Sequence, residues 1–322
     1  LKEDLPRPSP GDVHEGTAVE GRLDKVLAGL FSMYSRSRLQ SLVREGAVEI
    51  DGTVVQKTSM RLSGGESVRV TVPEIKTGRL VGEDIPLEVY FEDGDVAVVL
   101  KPPGMAVHPS KGHGQGTLVH ALIHRFPGLL EIGGEERPGI VHRLDLGTSG
   151  VMVVALHDIA LRRLQAQFFV HSVKRRYFAL VYGSPQEEQG TIRSKLARHP
   201  KDRLRMASTQ GEGRQAATHW RVRARGDGVS WVECQLETGR THQVRVHLTE
   251  MGHPLLGDPT YHRGSRQLRA PIREALAGVQ HQLLHAAHLA FDHPLSGERL
   301  HFDAPVPEDF RAVADAAGFT LP

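Results

Sequence analysis

Residues 139–155 read Gly-Ile-Val-His142-Arg143-Leu144-Asp145-Leu146-Gly147-Thr148-Ser149-Gly150-Val-Met-Val-Val-Ala155, setting a carboxylate between an arginine and two hydroxyls. A nearby cation and hydrogen-bond donors keep a carboxylate ionised and fix its direction, as a general base or nucleophile requires. A salt-bridged structural loop would have the same local composition. Gly150 and the apolar run Val151 to Ala155 place Asp145 on a turn leading into a buried strand, where a rigid scaffold can present it.

Three more stretches carry chemistry-bearing residues. Lys101-Pro102-Pro103-Gly104 follows a strand, and its prolines force a rigid turn that can wall a site; His108-Pro109 comes soon after. Further on stand Arg176-Tyr177-Phe-Ala-Leu-Val and Glu237-Thr238-Gly239-Arg240-Thr241-His242-Gln243-Val244-Arg245-Val246-His247. His142-Arg143-Leu144-Asp145 with Thr148-Ser149-Gly150 resembles the active-site signature of the RluA/RluD-type pseudouridine synthases. The other stretches resemble that family's remaining motifs in the family's order, across roughly residues 85 to 310.

The resemblance implies isomerisation of uridine to pseudouridine in RNA. The bond from the ribose anomeric carbon to N1 breaks and a bond to C5 of the same base forms, so no redox cofactor and no metal are expected. Asp145 is then the candidate catalytic group; attack on the sugar, attack on the base and abstraction of a ribose proton all use the same carboxylate. The resemblance makes Arg240 the cation paired with Asp145, and Tyr177 the ring stacked on the target base. It also makes Arg143 the side chain that fills the space left by the base, and puts His142, Thr148, Lys101 and His108 on the substrate side. By residue type alone, Thr148 and Ser149 read first as caps on backbone groups.

With 322 residues and 39% hydrophobic content, the chain is long enough for one large or two ordinary folded domains. Its single cysteine, Cys234, excludes an intrachain disulfide and any multi-cysteine zinc site. Its apolar runs are too short to span a bilayer and residues 1 to 20 lack the apolar core of a signal peptide, so a cytoplasmic protein without a membrane partner is expected. The net charge of +2 hides a basic stretch, Arg193 to Arg225, with ten Lys or Arg against Asp202 and Glu212. That suits a polyanion partner, though a solvated basic loop would read the same. His281, His285 and His288 have a spacing that could gather rings on a helix, but the segment resembles a strand of the family, in which alternation separates them. Gly112 to Gly116 lacks the lysine and the strand-to-helix context of a phosphate loop.

The elements predicted to carry these groups form an α+β fold. Arg22 to Met33 shows a helical stripe. A second helix starts near Ser37, with Gln40 at the capping-box position, and stops at Gly46. Strands follow at Val48–Val54, around the Asp51-Gly52 turn, and at Val68–Val72. The order, with Arg36, Arg38, Arg44, Lys57 and Arg61, resembles the alpha-L RNA-binding domain first known from a small-subunit ribosomal protein; a plain helical hairpin capping the next domain is the alternative. Residues 17–75 are assigned to this small αα-β module, 76–86 to a linker marked by proline and glycine, and 87–322 to a catalytic domain. Strands are expected at 87–91, 96–100, 174–182, 220–225, 231–236 and 284–291, and helices at 117–125, 158–170 and 241–251. Many strands with few helices between them argue for a mixed, mainly antiparallel sheet.

The leading expectation is therefore a monomeric enzyme acting on large-subunit ribosomal RNA or its assembly precursor, with a transfer-RNA enzyme as runner-up. A glycosidase would need a second carboxylate, for which Glu237 and Asp258 are the candidates. A non-catalytic ribosome-assembly protein would have no use for the Asp145, Tyr177 and Arg240 set.

Overall fold

The computed structural model describes residues 11–72, 80–110, 112–133, 137–262 and 268–322. The helices Leu23–Leu30 and Arg36–Arg44 pack their apolar faces on a four-stranded antiparallel sheet ordered Val13–Thr17, Ser67–Thr71, Val48–Ile50, Thr53–Val54. Leu23, Leu27, Leu39, Leu42, Val48, Val68 and Val70 are fully buried between them. The turn at Asp51 and Gly52 has φ of 49° and 75°, the left-handed pair that a two-residue hairpin needs. The fully buried Asp24 accepts hydrogen bonds from Arg36 at 2.6 Å and Gln40 at 3.1 Å, which ties the two helices together.

Local chemistry differs from expectation at the second helix. Its N-cap is Ser35, whose Oγ accepts from the Arg38 N–H, and Gln40 turns to Asp24 instead of closing a capping box. Arg38 is buried and so is no surface charge, whereas Arg36, Arg44, Lys57 and Arg61 are exposed. Val13–Thr17, unforeseen, lengthens the module at its N-terminal side. Of the expected linker, residues 76–79 lie outside the described residues. Residues 80–86 pack onto the helix Leu118–Arg125, with Leu80 buried and the Glu83 N–H bonded to the His120 carbonyl.

The larger unit is built on one ten-stranded sheet. Its order is Met206–Thr209, Gln189–Arg198, Arg214–Arg225, Val229–Leu236, Lys174–Tyr182, Leu284–Asp292, Ser149–Ala155, Val96–Lys101, Glu88–Glu92, with Arg299–Asp303 also paired to Leu284–Asp292. The Leu284–Asp292 and Ser149–Ala155 pair is parallel and the others are antiparallel, in keeping with the expected mixed α+β class. The basic stretch Arg193 to Arg225 is therefore mostly paired strand, not a loop. Period-two alternation splits the central strand: Tyr177, Ala179 and Val181 face one core, while Phe178, Leu180 and Tyr182 face another under the helices Ala270–Leu276 and Glu308–Ala316. No helix among the described residues is long and apolar enough to cross a membrane.

Several histidines are packed into this unit, His247 and His285 fully buried and His142 at the edge of a cavity. His285, on a strand and not a metal-binding helix, donates its Nε2–H to the Ala304 carbonyl and accepts the Ser149 hydroxyl proton at Nδ1. Burial lowers the pKa of His142 to about 3 and those of His247 and His285 to about 4, from an ordinary value of 6.5. The unfolded chain binds these protons near pH 6.5 and the folded chain only far lower, so stability is full above that pH and drains as pH falls toward 4. Each site contributes up to about 1.4 kcal/mol per pH unit in that window. Thermal melting should therefore fall steeply from about pH 6.5 to about pH 5. A melting temperature flat across that range would contradict the neutral buried state of these rings.

Candidate active site

Asp145 lies on the turn expected for it, immediately before the strand Ser149–Ala155. The Thr148 N–H bonds back to the Asp145 carbonyl at 3.0 Å, and the Thr148 hydroxyl accepts from the Gln282 amide at 2.9 Å. Gly147 and Gly150 let this turn press on the neighbouring strand; a side chain at Gly150 would run into the Ala286 carbonyl. The turn is also held from behind. The fully buried Lys101 ammonium donates to the carbonyls of Pro102 (2.7 Å), Met105 (2.8 Å) and Leu146 (3.2 Å), and the Gly104 N–H also reaches Leu146 at 2.9 Å. Burial lowers the Lys101 pKa to about 7 against the opposing pull of Asp145. Lys101 is thus not a substrate-facing residue: it fixes the Lys-Pro-Pro-Gly turn to the residue after Asp145.

A cavity of about 580 Å³ opens over Asp145 and is lined by Tyr177, His108 and six arginines: Arg137, Arg143, Arg175, Arg214, Arg240 and Arg245. Asp145 is the one carboxylate among the described residues that line it. Such a cavity suits a polyanion whose reacting centre meets a single acidic group. The two glycosidase candidates do not complete a carboxylate pair. Glu237 bonds Arg193 and His219, and Asp258 is sealed by Arg245.

The cation that meets Asp145 is Arg245, not Arg240. Arg245 Nη1 lies 3.3 Å from Asp145 Oδ2, while Nε and Nη2 form a two-pronged pair with Asp258 at 2.8 and 2.9 Å. Arg240 directs its Nε to the Gln215 carbonyl at 3.0 Å and its backbone N–H to Gln243 Oε1. The difference is positional: Arg240 precedes the helix Gln243–Glu250, whereas Arg245 projects from its first turns into the core. The helix enters through His242, a left-handed residue at φ 56°, and Gln243 anchors it by donating to the Ala217 carbonyl and Thr218 hydroxyl.

Arg245, Asp258 and Tyr261 act together, although the sequence offers Asp258 only as a second carboxylate and gives Arg245 and Tyr261 no role of their own. Burial works against the Arg245 charge, but Asp258 and then Asp145 outweigh it and raise its pKa. Burial also disfavours the Asp258 charge, yet Arg245 and the N–H groups of Thr260 and Tyr261 hold its pKa below the usual value. The Tyr261 ring packs 5.0 Å from the Arg245 guanidinium. One oxygen of Asp145 therefore faces a cation whose direction is fixed from the opposite side.

Tyr177, 6% exposed, projects into the cavity, and burial keeps its hydroxyl protonated. Arg143 is exposed at the cavity wall. His142 lines the cavity; its Nε2 accepts the Val153 N–H and its ring stacks on Phe168 at 4.7 Å, which fixes the ring in place. His108 also faces the cavity; burial, then Arg137 and Arg143, lower its pKa to about 4.

Comparison with known proteins matches residues 95–250 to a family described as RNA pseudouridylate synthase and residues 21–68 to the S4 domain. The chain is 45% identical over 295 residues to the ribosomal large subunit pseudouridine synthase D of Zymomonas mobilis, covering 91% of this chain and 92% of that one. It is 43% identical over 304 residues to the protein of the same name from Xanthomonas campestris, covering 93% and 90%. The solved structure of human RNA pseudouridylate synthase domain containing 1 aligns with 70% of this chain and 86% of its own, at 28% identity and a TM-score of 0.55.

Proposed function

The chain belongs to the RNA pseudouridylate synthases and isomerises uridine in RNA; from that premise we propose that its substrate is large-subunit ribosomal RNA and that Asp145 is the catalytic group. The observation that carries the catalytic assignment is the one carboxylate that lines the cavity among the described residues, held at 3.3 Å from a guanidinium whose other side is locked by Asp258. Isomerisation needs an ionised carboxylate at the anomeric carbon and a closed space in which the detached uracil turns. The Tyr177 ring supplies a face on which the base stacks, Arg143 at the wall fills the gap that the base leaves, and Arg245 fixes the direction of the Asp145 carboxylate. Relatives named for the large ribosomal subunit support the substrate assignment.

Tyr177 tests how the base is held. Its hydroxyl makes no hydrogen bond with the described residues, so Tyr177→Phe keeps the stacking face and should retain activity within about tenfold of wild type, whereas Tyr177→Ala should lose about 1–3 kcal/mol of stacking. Single-turnover rates of the two variants check this, and an inactive Tyr177→Phe would shift the role to the hydroxyl.

The N-terminal module supplies affinity. Arg44, Lys57 and Arg61 are exposed and unpaired with acidic groups among the described residues. Their combined change to Gln should flatten the dependence of log K on log salt by about one unit for each phosphate that is no longer neutralised. Binding of large-subunit RNA over a salt series measures this, and an unchanged slope would remove the module from the RNA interface.

A further inference from the structure

Arg175 has no part in the chemistry described so far, yet it lines the same cavity. It is 7% exposed and forms no ion pair with the described residues. Of its five N–H donors, one reaches protein, from Nη2 to the Glu237 carbonyl at 3.2 Å, and its buried Nε has no partner. A guanidinium removed from water without a counter-charge is costly, and proteins retain one where a ligand supplies the charge. The surroundings are shaped to it. The guanidinium lies over Phe168 at 5.4 Å, and Gly239 leaves room for it, since a Cβ there would come within 2.7 Å of Nη1.

Its place on the strand Lys174–Tyr182 identifies the ligand. Arg175 and Tyr177 share one face, while Arg176 and Phe178 line the opposite side of the sheet. Two residues along a strand span about 6.6 Å, comparable with the reach from a base to the phosphates of its own nucleotide. We infer that Arg175 binds a phosphate flanking the target uridine, so that one strand carries both the stacking ring for the base and the seat for its backbone. This inference rests on the reading of Tyr177 as the base platform. Flat, forked donors on a buried guanidinium suit a phosphodiester, and the binding supplies the charge that the cavity lacks at this point.

The test uses an RNA oligonucleotide containing a uridine that the wild-type protein converts, and two derivatives in which one flanking phosphate at a time is a neutral methylphosphonate. Wild type is expected to lose about tenfold or more in Kd with one derivative. Arg175→Gln should show a similar loss on the unmodified RNA and no further loss with that derivative. Arg175→Lys, which keeps the charge without the fork, should fall between them. Thermal melting identifies any variant that fails to fold, in which case Arg175→Lys carries the comparison. Unchanged binding by Arg175→Gln, or an undiminished methylphosphonate effect in a folded Arg175 variant, would overturn the assignment. Any RNA that wild type converts serves as probe, so failure here is distinct from failure of the large-subunit target.

Discussion

Asp145→Asn will bind RNA within a few-fold of wild type and yet convert no measurable uridine. Asparagine keeps the size and planarity of the side chain, and its amide oxygen can still face Arg245 Nη1, so the turn tied down by Thr148, Gln282 and Lys101 has no reason to move. What is lost is the carboxylate oxygen that we propose as base or nucleophile, and removing such a group costs on the order of 10³-fold or more in kcat. No other described carboxylate lines the cavity to replace it. Single-turnover kinetics with saturating enzyme separates the two quantities. A rate within tenfold of wild type would remove Asp145 from the chemistry.

Arg245→Ala will be inactive and also markedly less stable. The guanidinium is 5% exposed, and its removal leaves Asp258, at 0% exposure, with its backbone donors but no cation, alongside an unpaired Asp145. Breaking a buried pair by deleting one partner typically costs about 3–5 kcal/mol, and the missing packing on Tyr261 adds to it. The cause can be isolated: Arg245→Met combined with Asp258→Asn removes both charges and should recover much of the stability while remaining inactive. Denaturant unfolding of the single and double variants measures this. By contrast, Arg240→Ala should leave Asp145 paired and stability nearly unchanged. If Arg245→Ala unfolded at the denaturant concentration of wild type, the buried pair would not be a source of stability.

Asp145 and the elements around it are legible in sequence because the signals there are local. The turn that leads into the apolar run Val151 to Ala155, part of the buried strand Ser149–Ala155, and the helix that starts after Thr117 each follow from neighbouring residues. The Asp51-Gly52 hairpin and the helix stop at Gly46 are legible for the same reason. The partner of Asp145 is not, because it depends on contacts across the fold. Arg240 and Arg245 stand in one short stretch, and only the helix start at His242 decides which points inward. One signal is available: Arg245 stands between Val244 and Val246 in a buried helical turn, where an arginine needs a partner. That partner, Asp258, comes from the following loop, and Tyr261 stacks beside it; neither spacing has a short-range signature. Arg175 is hidden beside the more conspicuous Arg176-Tyr177, although period two places Arg175, and not Arg176, on the face of Tyr177.

The most direct measurement is a map of pseudouridine positions in unmodified large-subunit ribosomal RNA and in transfer RNA after incubation with wild-type protein or Asp145→Asn. New pseudouridines are expected at discrete positions of the large-subunit RNA with wild type, and none with the variant. Pseudouridine confined to transfer RNA would contradict the proposed substrate, and equal conversion by Asp145→Asn would contradict the assignment of the catalytic group.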